Sequence, residues 1–332
     1  MAKSEVYKNL PGFEVPVGEA LNVLSSMWDA PASSDERAPS EFRASRMNLI
    51  LHLGFDCSHE DANAVFQTAL DFSRRYPCRI VFLCAQPDSW DAESGMVCKI
   101  YSQCDIGLSG TDMSCCEVLA LGYTLGDRQY LENQVSLFLE TDLPTYYWPV
   151  LFDSAELLSY YKFFFKQANR IVFDTARERF AIEDVLIDQP EKIHDIAHSR
   201  FLSVRQSIGQ FMSSFPVADI IDGLESASIS GSPCFKAEGH ALIGWIREIL
   251  DTCYGEDSRT MVSITEDFEE SDCAALVLAF SYSNENGIEC VMNFDAGQAI
   301  IEATLAGENH SATSGVKLLE PAEALAEALF FS

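Results

Sequence analysis

Hydrophobic and polar positions alternate in two different rhythms along the chain. Near the start, Val17 to Trp28 repeat as a short amphipathic helix, and the small, charged and proline-rich run Ala30–Glu41 reads as a linker. From Arg46 onward strand-like runs alternate with helical spacing. MNLILHLG predicts a strand, and Ser58 can cap a helix whose Ala62, Val65, Phe66, Ala69 and Phe72 share one face. CRIVFLCAQ is the next strand. MVCKIYSQCDI and CCEVLALGYTL follow with no helix between them, which predicts an antiparallel pair at a sheet edge. A helix from Gln129 to Glu140 leads into Leu143–Thr175, which reads as strand, helix, strand. Thr145 to Pro149 is an aromatic strand, and Asp153 with Glu156 starts a helix that carries Leu157, Tyr161, Phe164 and Ala168. Ile171 to Phe173 is a second buried strand. A β-α-β unit implies a parallel sheet with a right-handed crossover.

The second half changes character. After a weakly patterned link, Arg177 to Pro190, the positions Ile193, Ala197, Phe201, Val204, Ile208, Phe211 and Phe215 predict one long helix over Glu191–Phe215. Strands are expected at Ser226–Ser230, Met261–Thr265, Ala274–Tyr282, Glu289–Phe294 and Ala299–Leu305. A helix lies around Ala241–Leu250, and Pro321 can start a terminal helix. The expected organisation is an N-terminal arm and linker over 1–45, an α/β domain with a mostly parallel, Rossmann-like sheet over 46–185, and an α+β domain with antiparallel strands over 186–332.

Charge narrows the function classes. The net charge of −29 over 332 residues would repel phosphate backbones and anionic lipid, so neither nucleic acid nor membrane is an expected partner. Such a surface serves solubility in an acidic or salty cytoplasm, or forms an acidic face that meets a basic partner protein. Between Lys162 and Arg205 eight basic residues stand against seven acidic ones, making this the one stretch that could welcome an anion or an acidic surface. With no apolar run of membrane-spanning length and no signal-like start, the chain is expected to be cytoplasmic. Eleven cysteines without a CxxC pair do not suggest a disulfide framework or a zinc ribbon. They are ordinary thiols, or they include a redox-responsive pair, either Cys115 with Cys116 or Cys98 with Cys104.

No catalytic, cofactor or metal signature emerges. The first strand is followed by GFDCSHED, with one glycine where a dinucleotide turn needs three. GLSG at 107–110 and SGSP at 230–233 lie in the wrong context. HDIAH could place His194 and His198 on one helix face, but Asp195 is too short for the general-base role and no third ligand follows. No GxSxG occurs. In Tyr146-Tyr147-Trp148-Pro149, Tyr146 and Trp148 share one strand face, buried against helices or presented at a strand end. A proline directly after Trp148 would break pairing there and expose it.

Several of these segments resemble the OpcA family, the glucose-6-phosphate dehydrogenase assembly or activator proteins. They are Arg46 with Asn48-Leu49-Ile50, Tyr76-Pro77-Cys78-Arg79, Leu143-Pro144 through Trp148-Pro149, Asn169-Arg170 through Asp174-Thr175, Asp195 through Arg200, and Gly244-Trp245. The resemblance implies a non-enzymatic protein that binds glucose-6-phosphate dehydrogenase and promotes its active oligomer, with no cofactor. Tyr146, Trp148, Arg170, Arg200 and Arg205 would then be candidate contact residues, and a redox role would fall to the cysteines, with Cys115 and Cys116 as candidates. Two rivals stand beside it. One is a sugar-phosphate-binding enzyme or sensor with a degenerate α/β pocket in which arginines clamp the phosphate. The other is a structural subunit of some other complex.

Overall fold

A computed structural model describes residues 6–28, 45–55, 57–86, 95–106, 113–254, 262–268 and 275–331. The linker expected at Ala30–Glu41, the GLSG run and Cys273 lie outside them. In chain order the first elements are α1 (Val6–Asn9), β1 (Phe13–Val15), α2 (Ala20–Trp28), β2 (Asn48–Leu53), α3 (His59–Arg75), β3 (Arg79–Gln86), β4 (Val97–Ile106) and β5 (Met113–Thr124). Then come α4 (Arg128–Phe138), β6 (Thr145–Val150), α5 (Ala155–Ser159), α6 (Lys162–Gln167), β7 (Arg170–Phe173) and β8 (Ile193–Asp195).

These strands form one sheet in the order β1-β4-β5-β3-β2-β6-β7-β8. β5, β3, β2, β6, β7 and β8 are mutually parallel, β4 pairs antiparallel with β5, and β1 pairs antiparallel with β4. Counted along the chain, the parallel strands run 3-2-1-4-5-6, the order of a doubly wound sheet. β2 and β3 are buried along their whole length, as a sheet covered on both faces requires. One face packs on α2, α4, α5 and α6 through Leu24, Leu131, Val135, Phe164 and Phe165. The other carries α3, whose Ser58 accepts the Asp61 amide as N-cap and whose expected apolar stripe is buried.

The continuation comprises α7 (Ile196–Arg200), α8 (Leu202–Met212), α9 (Val217–Ile221), β9 (Leu224–Gly231), α10 (Lys236–Tyr254), β10 (Ser263–Asp267), β11 (Ala275–Tyr282), β12 (Gly287–Asn293), β13 (Gln298–Leu305), β14 (Glu308–Gly315) and α11 (Pro321–Phe330). Its sheet runs β10-β9-β11-β12-β13-β14. β10 pairs with β9 in parallel, so this sheet is mixed rather than purely antiparallel. α8 and α10 cover one face, burying Val204, Ile208, Leu242 and Ile246 against Leu278, Cys290 and Ile301.

The chain divides into two compact units, residues 1–195 with 325–332, and residues 196–324. The end of α11 belongs to the first unit, where Phe330 lies against Phe72, Tyr76 and Tyr146. Two expected helices are corrected. The segment expected as one helix from Glu191 is a 3₁₀ turn, the strand β8 and two separate helices. The crossover between β6 and β7 is two short helices that break where the Tyr161 side chain turns fully into the core, and its cap is Ser154 rather than Asp153.

Candidate functional site

Parallel α/β sheets present ligands at the carboxyl ends of their strands, where the strand order reverses. Here that point lies between β2 and β6, and the chain itself closes it. The Gly54 amide donates to the Val150 carbonyl at 2.9 Å, and a β-carbon on Gly54 would lie 2.1 Å from the Leu151 carbonyl oxygen. Gly54 thus serves the close approach of two backbones, not of a phosphate. Leu151 sits in the left-handed region at φ 60°, and its amide donates to Glu178 Oε1 at 3.2 Å. Burial pushes the Glu178 carboxyl up to about 8, with Asp174 adding to the rise. Arg177 and Arg179 flank it, 3.7 Å from Asp174 and 2.6 Å from Asp153 respectively.

Beneath this edge lies a polar aromatic nest. His52 is fully buried on β2, with Nδ1 2.8 Å from the Tyr147 hydroxyl and Nε2 2.5 Å from the Tyr123 hydroxyl. Burial lowers its pKa to about 3, so the ring is neutral, one nitrogen donating and the other accepting. Rings of Phe152, Tyr161 and Phe164 stand edge-on to it. This is interior architecture that fixes β2 against β5 and β6.

The residues singled out in the sequence fall in separate places. Tyr146 is half-buried beneath Phe330, and Trp148 is buried at 3% exposure, its Nε1 finding no hydrogen-bond partner among the described residues. β6 does not break at Pro149. It runs on to Val150, paired with β2 throughout, so the aromatic run is a central strand rather than an exposed end. Arg170 belongs to the first unit and donates to the Ala328 carbonyl at 3.1 Å. Arg200 and Arg205 belong to the second, where Arg200 is ion-paired with Glu238 and Arg205 is half-buried on α8. Cys115 is disulfide-bonded to Cys104, directly opposite it on β4, while Cys116 is a buried thiol and Cys98 stays reduced. His194 lies on β8 and His198 on α7, so the two share no helix face.

Asn48, Arg79, Asn169 and Asp195 tie strand ends together. Asn48 Nδ2 donates to the carbonyls of Glu140 and Leu143, and its Oδ1 accepts the Glu140 amide. Arg79 is buried against Glu117 and the Phe138 carbonyl. Asn169 receives the Thr145 amide, and Asp195 receives the Thr175 amide and hydroxyl.

A ligand-sized space with cations on its wall lies elsewhere in the first unit. A groove of about 530 Å³ runs between α5–α6 and the segment 186–189. Lys162 and Lys166, one helical turn apart, are exposed on one wall beside Ser159 and Phe165. Leu186, Ile187, Asp188 and Gln189 form the other. Neither lysine has an ion-pair partner among the described residues. The basic stretch pointed to the lysines, but the strand-helix pattern gave no sign that the weakly patterned link would fold back opposite them.

No protein-family model matches the chain, and no curated protein matches it. Among solved structures it is similar to KijD10, described as a 3-ketoreductase from Actinomadura kijaniata in complex with NADP and TDP-benzene. The identity is 11% over 86% of this chain and 90% of that one, with a TM-score of 0.40. The structure it is similar to is an enzyme, and this corrects the expectations that the chain is not an enzyme and that it is a non-catalytic activator of glucose-6-phosphate dehydrogenase. An identity of 11% and a TM-score of 0.40 transfer no activity from that protein to this chain.

Proposed function

We propose that the chain binds a phosphorylated sugar or a similar small polyhydroxylated phosphate in the groove between α6 and the segment 186–189. The observation that carries this reading is that two lysines without an ion-pair partner among the described residues share one cavity of about 530 Å³ with a carboxylate and an amide. Lysine ammoniums suit a phosphate as point charges. Asp188 and Gln189 can bind hydroxyls as acceptor and as donor-acceptor, while Phe165, Leu186 and Ile187 offer an apolar surface to the carbon skeleton of the sugar. The chain's overall acidity makes these lysines selective, because an anion meets net repulsion over most other surfaces.

A dinucleotide of the NADP type does not fit the switch point. The space above β2 is taken by the Leu151 backbone, and the turn leading to α3 carries Cys57 and Ser58 where close pyrophosphate approach needs glycine.

The test is isothermal titration of the full chain with hexose and pentose phosphates, the matching free sugars, inorganic phosphate and NADP. Saturable binding of one or more sugar phosphates, weakened at least about tenfold (1.4 kcal/mol) by Lys162→Ala or Lys166→Ala, is expected. No heat with any sugar phosphate, or binding indifferent to both substitutions, would overturn the proposal.

A further inference from the structure

Among the described residues of its own unit, the second sheet has helices on one side. Along β11, β12 and β13 every second side chain is buried against α8 and α10, and the intervening ones are open. On the open side Val277 and Val291 are half-buried, and Ile300 is 39% exposed. Two carboxylates stand directly opposite each other there, Glu289 on β12 and Glu302 on β13, both exposed. Like charges in that position destabilise a sheet. The six strands contain no lysine or arginine, and neither glutamate has an ion-pair partner among the described residues. Beside the pair, Gly287 leaves a hollow of about 610 Å³ bounded by both glutamates, Thr304 and Asn309.

We propose that this open face docks a partner protein that presents a basic, flat surface, with an arginine or lysine entering the hollow between Glu289 and Glu302. Charge complementarity selects the occupant. A guanidinium between two carboxylates turns a repulsion into two charge-assisted hydrogen bonds. The Val277–Val291–Ile300 strip supplies the apolar centre that a docking patch needs beside its polar contacts. A second copy of the chain is disfavoured because a two-fold contact would set acidic residues against acidic residues with no cation on either side. Nucleic acid and anionic lipid carry the wrong sign.

The test places the photo-crosslinking residue p-benzoylphenylalanine at Ile300 of the full chain, in the cells that make it, with Leu137 as an exposed control in the other unit. A discrete adduct with another protein at position 300 and not at 137, reduced at least tenfold by Glu289→Lys, is expected. Glu289→Lys faces Glu302 as a cross-strand ion pair, so its melting temperature should equal or exceed that of the parent and exclude misfolding as the cause. No adduct, an adduct of the chain with itself, with nucleic acid or with lipid, or one that survives the charge reversal would each overturn the proposal.

Discussion

The carboxyl of Glu178 and the imidazole of His52 are both held neutral by burial, and their effects on stability run in opposite directions with pH. Glu178 rises from 4.5 to about 8, so the folded chain holds a proton that the unfolded chain releases, and stability falls as pH climbs through that window. His52 drops from 6.5 to about 3, so the unfolded chain takes up the extra proton, and stability falls as pH descends through that range. Between about 4.5 and 6.5 the two slopes oppose each other, and the pair contributes a plateau. Above 6.5 Glu178 acts alone. Glu178→Gln keeps an acceptor for the Leu151 amide and cannot ionise, so urea midpoints measured from pH 6.5 to 8.5 should fall less steeply than for the parent. The difference should be on the order of a few kcal/mol across the window. Parallel slopes would show that the fold relaxes around the ionised carboxylate.

Turns and strand ends decide the element scale. Leu305 pairs with Glu308 across a two-residue loop in which Ala306 and Gly307 both have positive φ, 53° and 80°. That is a type I′ hairpin, which favours asparagine at its first position over alanine. Ala306→Asn should therefore raise the stability of the second unit by about 0.5–1 kcal/mol, read as a higher melting temperature in calorimetry. A drop would mean that the bond from the Ala306 amide to Asn286 has been lost. The same turn explains why β14 escaped the sequence reading: its strand ENHSATSG is polar on both faces, and Ala-Gly is a weak hairpin signal. β8 was hidden because three residues at the head of a helical pattern carry no period of their own. The α5–α6 break was hidden because Tyr161 fits the helical spacing and is buried all the same. The α3 stripe, the β4–β5 pairing and the α11 start were legible, since each rests on local period or on a proline. The groove was not, because it depends on where a weakly patterned segment returns, and the Cys104–Cys115 bond needed the hairpin register before its partners could be named.

Across the whole molecule, a net charge of −29 imposes self-repulsion that the folded state feels more than the expanded one. Raising sodium chloride from about 0.05 to 0.5 M shortens the screening length from over 10 Å to under 5 Å. The melting temperature should rise accordingly, with Glu289→Lys showing a smaller rise than the parent. An unchanged melting temperature would place the acidic groups too far apart to interact.

The first unit is made of two stretches, with the second unit between them. Tyr76, Tyr146 and Phe72 receive Phe330, and Arg170 reaches the Ala328 carbonyl, only after the whole of Ile196–Ala324 has been made. During synthesis the parallel sheet can assemble early, yet it leaves the ribosome with an aromatic patch bare. The nascent chain therefore passes through a period in which a chaperone has a defined apolar target, and the arrival of α11 ends it.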